Sequence, residues 1–209
     1  HSGSGKTTII NLLYRLNKLT DGRILVDNES IYNYTKKVYA SNVSGVFQKS
    51  FIFNMSIRDN LGLVDNNLEH QLEACKRVGI HDYIMSLPKT YNTVISEESH
   101  IFSEGQIQLL SIARAILTKS EILLFDEVTS NIDQAYTSEI ATLLKDLKDD
   151  HTILMTTHKP EIMEIADKVI VLDKGKVICK GKNEEVYNKC LLYQDLRNRT
   201  FASISKNEE

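Results

Sequence analysis

His1-Ser2-Gly3-Ser4-Gly5-Lys6-Thr7-Thr8 combines two glycines, a lysine and a run of hydroxyls at a spacing suited to gripping a phosphate chain. Gly3 and Gly5 open backbone angles closed to other residues, so successive N–H groups can turn inward on an anion. Lys6 then reaches the β- and γ-phosphates, and the Thr7 hydroxyl can ligate a magnesium ion held between them. Ser2, Ser4 and Thr8 complete the expected phosphate-binding set. Apolar residues at Ile9, Ile10, Leu12, Leu13 and Leu16 predict a helix over 8–16 whose N-terminus lies behind the phosphates.

A second group of residues carries the complementary chemistry. Ile122-Leu123-Leu124-Phe125-Asp126-Glu127 is an apolar strand that ends in two carboxylates. Strand alternation points the two acids in different directions. With a phosphate loop in the same chain, Asp126 is expected to act through water on magnesium, and Glu127 to polarise the water that attacks the γ-phosphate.

The elements that must position these groups are short. Arg23–Val26, entered through an Asp21-Gly22 turn, and Ser44–Phe47 read as strands. From Ser56 to Ser86 the pattern is polar and helical, and Glu104–Leu117 reads as a longer helix. Beyond Glu121, strands at 122–125, 152–155 and 169–172 alternate with a helix near 135–147. Such alternation implies a parallel sheet with helices on its faces and ligands at the carboxyl ends of its strands, where Asp126, Glu127 and His158 fall.

With 209 residues, 42% hydrophobic and 25% charged, the chain can bury the core of one globular domain. A net charge of -3 carries no basic footprint, so nucleic acid is not expected as a partner. Cys75, Cys179 and Cys190 are far apart and lie in no C-x-x-C pattern, so reduced thiols and no structural zinc are expected. No segment reaches the roughly 20 apolar residues that cross a bilayer, and no signal peptide is visible.

Taken together, the motifs resemble the ATP-binding cassette (ABC) family across essentially the whole chain. Val46-Phe47-Gln48-Lys49 resembles its Q-loop, Phe102-Ser103-Glu104-Gly105-Gln106 its signature motif, Ser130-Asn131-Ile132-Asp133 its D-loop, and Thr157-His158 its switch histidine. Ser111-Ile112-Ala113-Arg114-Ala115 continues the family pattern after the signature. The resemblance implies an α/β P-loop NTPase (RecA-like) fold, with a parallel-sheet core at 1–47 and 115–209 and an inserted α-helical subdomain at 48–114. It implies ATP and Mg2+ as ligands, with Gln48 joining Thr7 and Asp126 around the metal. Ser103, Gly105 and Gln106 would meet the nucleotide of a second nucleotide-binding domain, in a homodimer or a heterodimer. His158, projecting from the sheet edge after its strand, would orient the γ-phosphate and the water.

Phe51-Ile52-Phe53-Asn54-Met55-Ser56-Ile57-Arg58-Asp59-Asn60-Leu61 is similar to the exporter branch, and Tyr91-Asn92-Thr93 with Glu97 resembles that branch's X-loop. This implies a transmembrane domain, in the same or a partner chain, and a place at the cytoplasmic face of the cell membrane. Two alternatives stay open at this point: a non-hydrolytic half of a heterodimeric transporter, and a soluble ABC ATPase outside transport.

The signature departs from the family pattern, with Phe102 for leucine and Glu104 for glycine, and Ser96 and Ser99 replace glycines before it. Ser103 and Gln106 can still form a capping box, and Glu104 in the first turn complements the helix dipole. A working but weakened site is expected. The loop's opening glycine, its feeding strand and the family's adenine-stacking aromatic residue would all precede His1. The 209-residue chain by itself is therefore expected to bind ATP poorly.

Overall fold

The computed structural model describes residues 3–96, 101–130, 132 and 134–204. Its first elements are α1 (Lys6–Leu13), β1 (Leu25–Val26), β2 (Glu29–Ser30), α2 (Lys36–Asn42) and β3 (Val43–Val46). A mostly helical stretch follows, with β4 (Met55–Ser56), α3 (Ile57–Gly62), α4 (Leu68–Arg77), α5 (His81–Ser86), a 3-10 turn at Thr90–Asn92, β5 (Val94–Ile95) and α6 (Glu104–Leu117). Then come β6 (Ile122–Asp126), α7 (Gln134–Leu147), β7 (Thr152–Thr156), α8 (Pro160–Glu164), β8 (Lys168–Asp173), β9 (Lys176–Lys182), α9 (Asn183–Lys189) and α10 (Leu191–Ile204).

Strands β3, β6 and β7 form a parallel sheet with β6 in the middle, Val46 opposite Phe125 and Asp126 opposite Thr156. Period-two alternation divides β6 between two cores. Leu123 and Phe125 join the large cluster that contains residues of α3 to α7, whereas Leu124 packs with Ile10, Ile31, Tyr39 and Val43. Both faces of the central strand are thus covered, as a parallel sheet requires. Gly45 makes the tight packing of α1 on this sheet possible. A Cβ there would collide with the Leu124 carbonyl and the Tyr14 hydroxyl.

The helix predicted over 8–16 starts and stops earlier. It ends in a Schellman motif: Arg15 takes the left-handed conformation (φ 56), its N–H reaches Leu12 O at 3.1 Å, and Leu16 N–H reaches Asn11 O at 2.9 Å. No glycine marks this end. The left-handed cost to Arg15 is offset by stacking of its guanidinium 3.9 Å from the Tyr39 ring centroid and a 3.1 Å bond from Nη1 to Tyr34 O.

The strand predicted at 23–26 is the two-residue β1, paired antiparallel with β2 through Asp27 and Asn28, both at positive φ (50 and 66). That is the geometry of a type I′ turn, which Asn and Asp tolerate. The strand predicted at 169–172 is β8, but its partner is the antiparallel β9, joined by a turn at Lys174 and Gly175 with φ 47 and 76. A cavity of about 640 Å³ lies between β7 and β8.

Between β3 and α6, the helices α3 to α5 bury Ile57, Leu61, Ala74, Cys75, Ile80 and Ile84 in the same cluster as Leu109 and Ile112 of α6. The short β4–β5 pair, Met55 opposite Ile95, ties the two ends of this stretch together. Two-residue strands have no readable periodicity, which is why the segment reads as purely helical. All three cysteines are free thiols, and burial pushes the Cys75 thiol up to about 11. No helix of the described residues is long and apolar enough to cross a membrane.

Candidate functional site

The loop that opens the chain folds as its glycines require. Gly3 and Gly5 sit at φ 77 and 99, and Gly5 is the N-cap of α1. No side chain caps that helix, so its first N–H groups receive no acceptor from the cap, an arrangement suited to an anion. Ser4 is buried at 3% exposure, and its carbonyl accepts the Gly175 N–H at 3.1 Å, so the β8–β9 turn braces the loop from behind. Thr7 and Thr8 are exposed in the first turn of α1. Ser2 lies outside the described residues.

Lys6 turns back over the loop. Its Nζ lies 3.5 Å from Ser4 Oγ and 3.5 Å from Glu127 Oε1. The carboxylate at the end of the central strand has therefore been brought to the lysine of the loop, about 120 residues away in sequence.

The two acids are held differently. Asp126 is the last residue of β6, buried at 2% exposure, and its Oδ1 accepts a 2.6 Å hydrogen bond from Thr156 Oγ1. Glu127, the next residue, leaves the strand at φ 50, and its N–H is shared between Thr156 O at 3.1 Å and Thr156 Oγ1 at 3.0 Å. The change of backbone conformation separates the directions of the two side chains, which plain strand alternation had predicted more simply.

His158 is exposed on the turn between β7 and α8. That turn is set by the Lys159 N–H donating to Thr157 Oγ1 at 3.0 Å and by Pro160 in the first turn of α8. His158 lines the same cavity as Ser4, Lys6 and Thr156. The other described histidines serve structure: His70 pairs with Asp65, His81 with Tyr91, and His151 with the Ser120 carbonyl. His100 lies outside the described residues.

Gln48 is exposed two residues beyond β3, at the same carboxyl edge of the sheet. Its loop is tethered from α6 by Gln108, which sequence reading passed over, and by Arg114, which it named only as part of the family pattern. Buried Gln108 of α6 accepts from Ser50 Oγ at 2.8 Å and donates to Phe47 O at 3.4 Å, and Arg114 Nη2 donates to Phe51 O at 2.7 Å. A glutamine in the buried register of α6, between apolar neighbours, was the available signal.

The expected capping box is present. Gln106 N–H donates to Ser103 Oγ at 3.2 Å, and Ser103 N–H donates to Gln106 Oε1 at 2.9 Å. Glu104 lies exposed in the first turn. Phe102 is buried, edge-on to Tyr83 at 5.3 Å between centroids, so the unusual aromatic fills core space. Ser103, Gly105 and Gln106 do not line the cavity that Lys6 and His158 share.

Asn131 and Asp133 of the D-loop segment, and Glu97 and Ser99 before the signature, lie outside the described residues. Tyr91 and Thr93 are buried, leaving Asn92 as the exposed residue of that trio. Phe51 and Phe53 are 58% and 42% exposed, edge-on to each other, and line a groove of about 390 Å³ with Leu63 and Val64.

The donor set around the loop suits magnesium. Thr7, Gln48 and Asp126 offer a hydroxyl, an amide and a carboxylate, all hard oxygen donors. No cluster of three His, Cys, Asp or Glu able to hold a metal exists among the described residues.

A family model described as ABC transporter matches residues 1–130. An uncharacterized ABC transporter ATP-binding protein of Bacillus subtilis (strain 168) is 37% identical over 202 residues, covering 96% of this chain and 33% of that protein. An ATP-dependent lipid A-core flippase of Acinetobacter baylyi is 34% identical over 203 residues, 96% of this chain and 35% of the flippase. The chain thus spans about a third of the length of the curated relatives it matches. Among solved structures, a bacterial Atm1-family ABC exporter with ATP bound superposes with a TM-score of 0.90 at 29% identity, covering 96% of this chain and 36% of the exporter.

Proposed function

This chain belongs to the ABC transporter family, and from that membership we propose that it binds and hydrolyses ATP to power export across a membrane. The observation that carries the reading is the 3.5 Å approach of Lys6 to Glu127 just beyond the central strand, with Asp126 buried as that strand's last residue and His158 lining one cavity with Lys6. The loop N–H groups of Gly3, Ser4 and Gly5 and the α1 N-terminus cradle the phosphates, with Ser2, Thr7 and Thr8 completing the grip. Lys6 neutralises charge that develops on the γ-phosphate, Glu127 takes a proton from the attacking water, and His158 orients water and phosphate. Magnesium, held by Thr7, Gln48 and, through water, Asp126, supplies further neutralisation of the phosphates when bound.

Residues 1–47 and 115–209 act as the ATPase core and 48–114 as the helical subdomain. Helix α6 (Glu104–Leu117) runs across residue 114, so the two parts share one continuous helix. Two copies of such a domain close head to tail, so that Ser103, Gly105 and Gln106 of each complete the other's site. The exposed Phe51/Phe53 groove supports the reading that a transmembrane domain docks there, and on that reading the chain works at the cytoplasmic face of the cell membrane. The coding sequence around this chain tests that partner: about six apolar segments of about 20 residues each are expected in the same or an adjacent reading frame.

Magnesium-dependent ATP hydrolysis by the purified full-length protein tests the activity itself. Lys6→Ala is expected to abolish it, and hydrolysis that survives this substitution would overturn the assignment.

A further inference from the structure

Thr156 places one hydroxyl between the Asp126 carboxylate and the Glu127 backbone N–H. As the last residue of β7 it lies opposite Asp126 in the parallel register. Its Oγ1 donates to Asp126 Oδ1 at 2.6 Å and accepts the Glu127 N–H at 3.0 Å, while its own carbonyl accepts that same N–H at 3.1 Å. A hydroxyl has one proton and lone pairs to accept with. Because the Glu127 N–H occupies an acceptor site, the proton is committed to Asp126, and the hydroxyl has a single orientation.

Each bond has a consequence for chemistry. Asp126 is 2% exposed, so a short charge-assisted bond to one oxygen fixes the plane of its carboxylate and decides how the second oxygen is presented. Glu127 is a non-glycine residue at φ 50, a conformation that persists only where surrounding bonds over-determine it. The two acceptors on Thr156 hold its N–H there. That backbone turn carries the Glu127 side chain to within 3.5 Å of Lys6 Nζ. An apolar β-branched residue would fill the same strand position without making either side-chain bond.

We propose that Thr156 is a positioning residue for hydrolysis, setting the metal-side and water-side carboxylates through one hydroxyl. The proposal rests on the reading of Glu127 and Asp126 as the hydrolytic pair. Thr156→Val removes the hydroxyl and keeps the shape, Thr156→Ser keeps the hydroxyl, and Thr156→Ala serves if the valine variant does not accumulate.

In the full-length protein, Thr156→Val is expected to lower kcat by about 10- to 100-fold, the effect of losing a hydrogen bond to a charged group expressed in rate. KM for ATP should stay within about twofold, since the phosphate grip is untouched. Half-maximal activity should need several-fold more Mg2+, and Thr156→Ser should restore both values to within about threefold. In the nucleotide-free protein, the Glu127 amide should exchange with solvent about tenfold faster in Thr156→Val and at the wild-type rate in Thr156→Ser.

Equal kcat in Thr156→Val and wild type, a serine variant as impaired as the valine variant, or unchanged Glu127 exchange overturns the proposal. The reading beneath it fails separately, if Glu127→Gln hydrolyses ATP like wild type. The exchange result still decides the role of Thr156 in that case.

Discussion

Lys6 Nζ lies 3.5 Å from Glu127 Oε1, a charge pair that joins the phosphate loop to the acid at the end of the central strand. Both side chains are about a quarter exposed, so the pair is partly screened and modest in strength. On the proposed function, a nucleotide entering the loop would draw Lys6 away from Glu127 and onto its phosphates, while the Glu127 charge stayed close by.

Removing that charge should therefore help binding. Glu127→Gln in the full-length protein is expected to tighten ATP binding by about two- to fivefold, the scale of a partly exposed ion pair. Isothermal titration calorimetry with magnesium and ATP measures it. Equal or weaker affinity would show that Glu127 does not compete for Lys6.

Glu104 separates stability from activity. It sits in the first turn of α6 behind an intact capping box, where its charge complements the helix dipole. If two domains meet across the nucleotide, the same charge faces a γ-phosphate. Glu104→Gly is expected to leave ATPase activity unchanged or raised, while costing about 1 kcal/mol of stability from lost dipole complement and added backbone freedom. Steady-state ATPase assays and thermal melts read the two effects, and a large fall in activity contradicts the repulsion argument.

Gly45 tests how α1 is seated. Its place between the Leu124 carbonyl and the Tyr14 hydroxyl leaves no room for a methyl group. Gly45→Ala is expected to cost about 1–3 kcal/mol through overpacking against backbone, lowering the urea midpoint. It should also weaken ATP binding, because α1 carries the loop. An unchanged midpoint would mean that the sheet and α1 can separate at no cost.

The residues proposed for the chemistry were legible because their signals are local. A glycine-rich loop before a helix, an apolar strand closing on two acids, and a Ser-x-x-Gln cap each declare themselves within a few positions, and the structure forms all three. What was illegible depends on register or on distant partners. Thr156 is an ordinary strand residue until β6 and β7 align it with Asp126. Gln108 and Arg114 brace a loop about 60 residues earlier in the chain, which no periodicity encodes. The end of α1 was missed because Arg15, instead of glycine, takes the left-handed position, supported by Tyr34 and Tyr39 from beyond β2. The β8–β9 hairpin was half seen, since Val169–Leu172 has strand character but its antiparallel partner is interrupted by lysines.

The central claim is that Glu127 activates water for ATP hydrolysis, and the rate of phosphate release by the full-length protein with Glu127→Gln tests it most directly. At saturating Mg-ATP the account predicts a fall in kcat of about 10²- to 10⁴-fold with binding retained. A loss of less than tenfold, with ATP still bound, would contradict it.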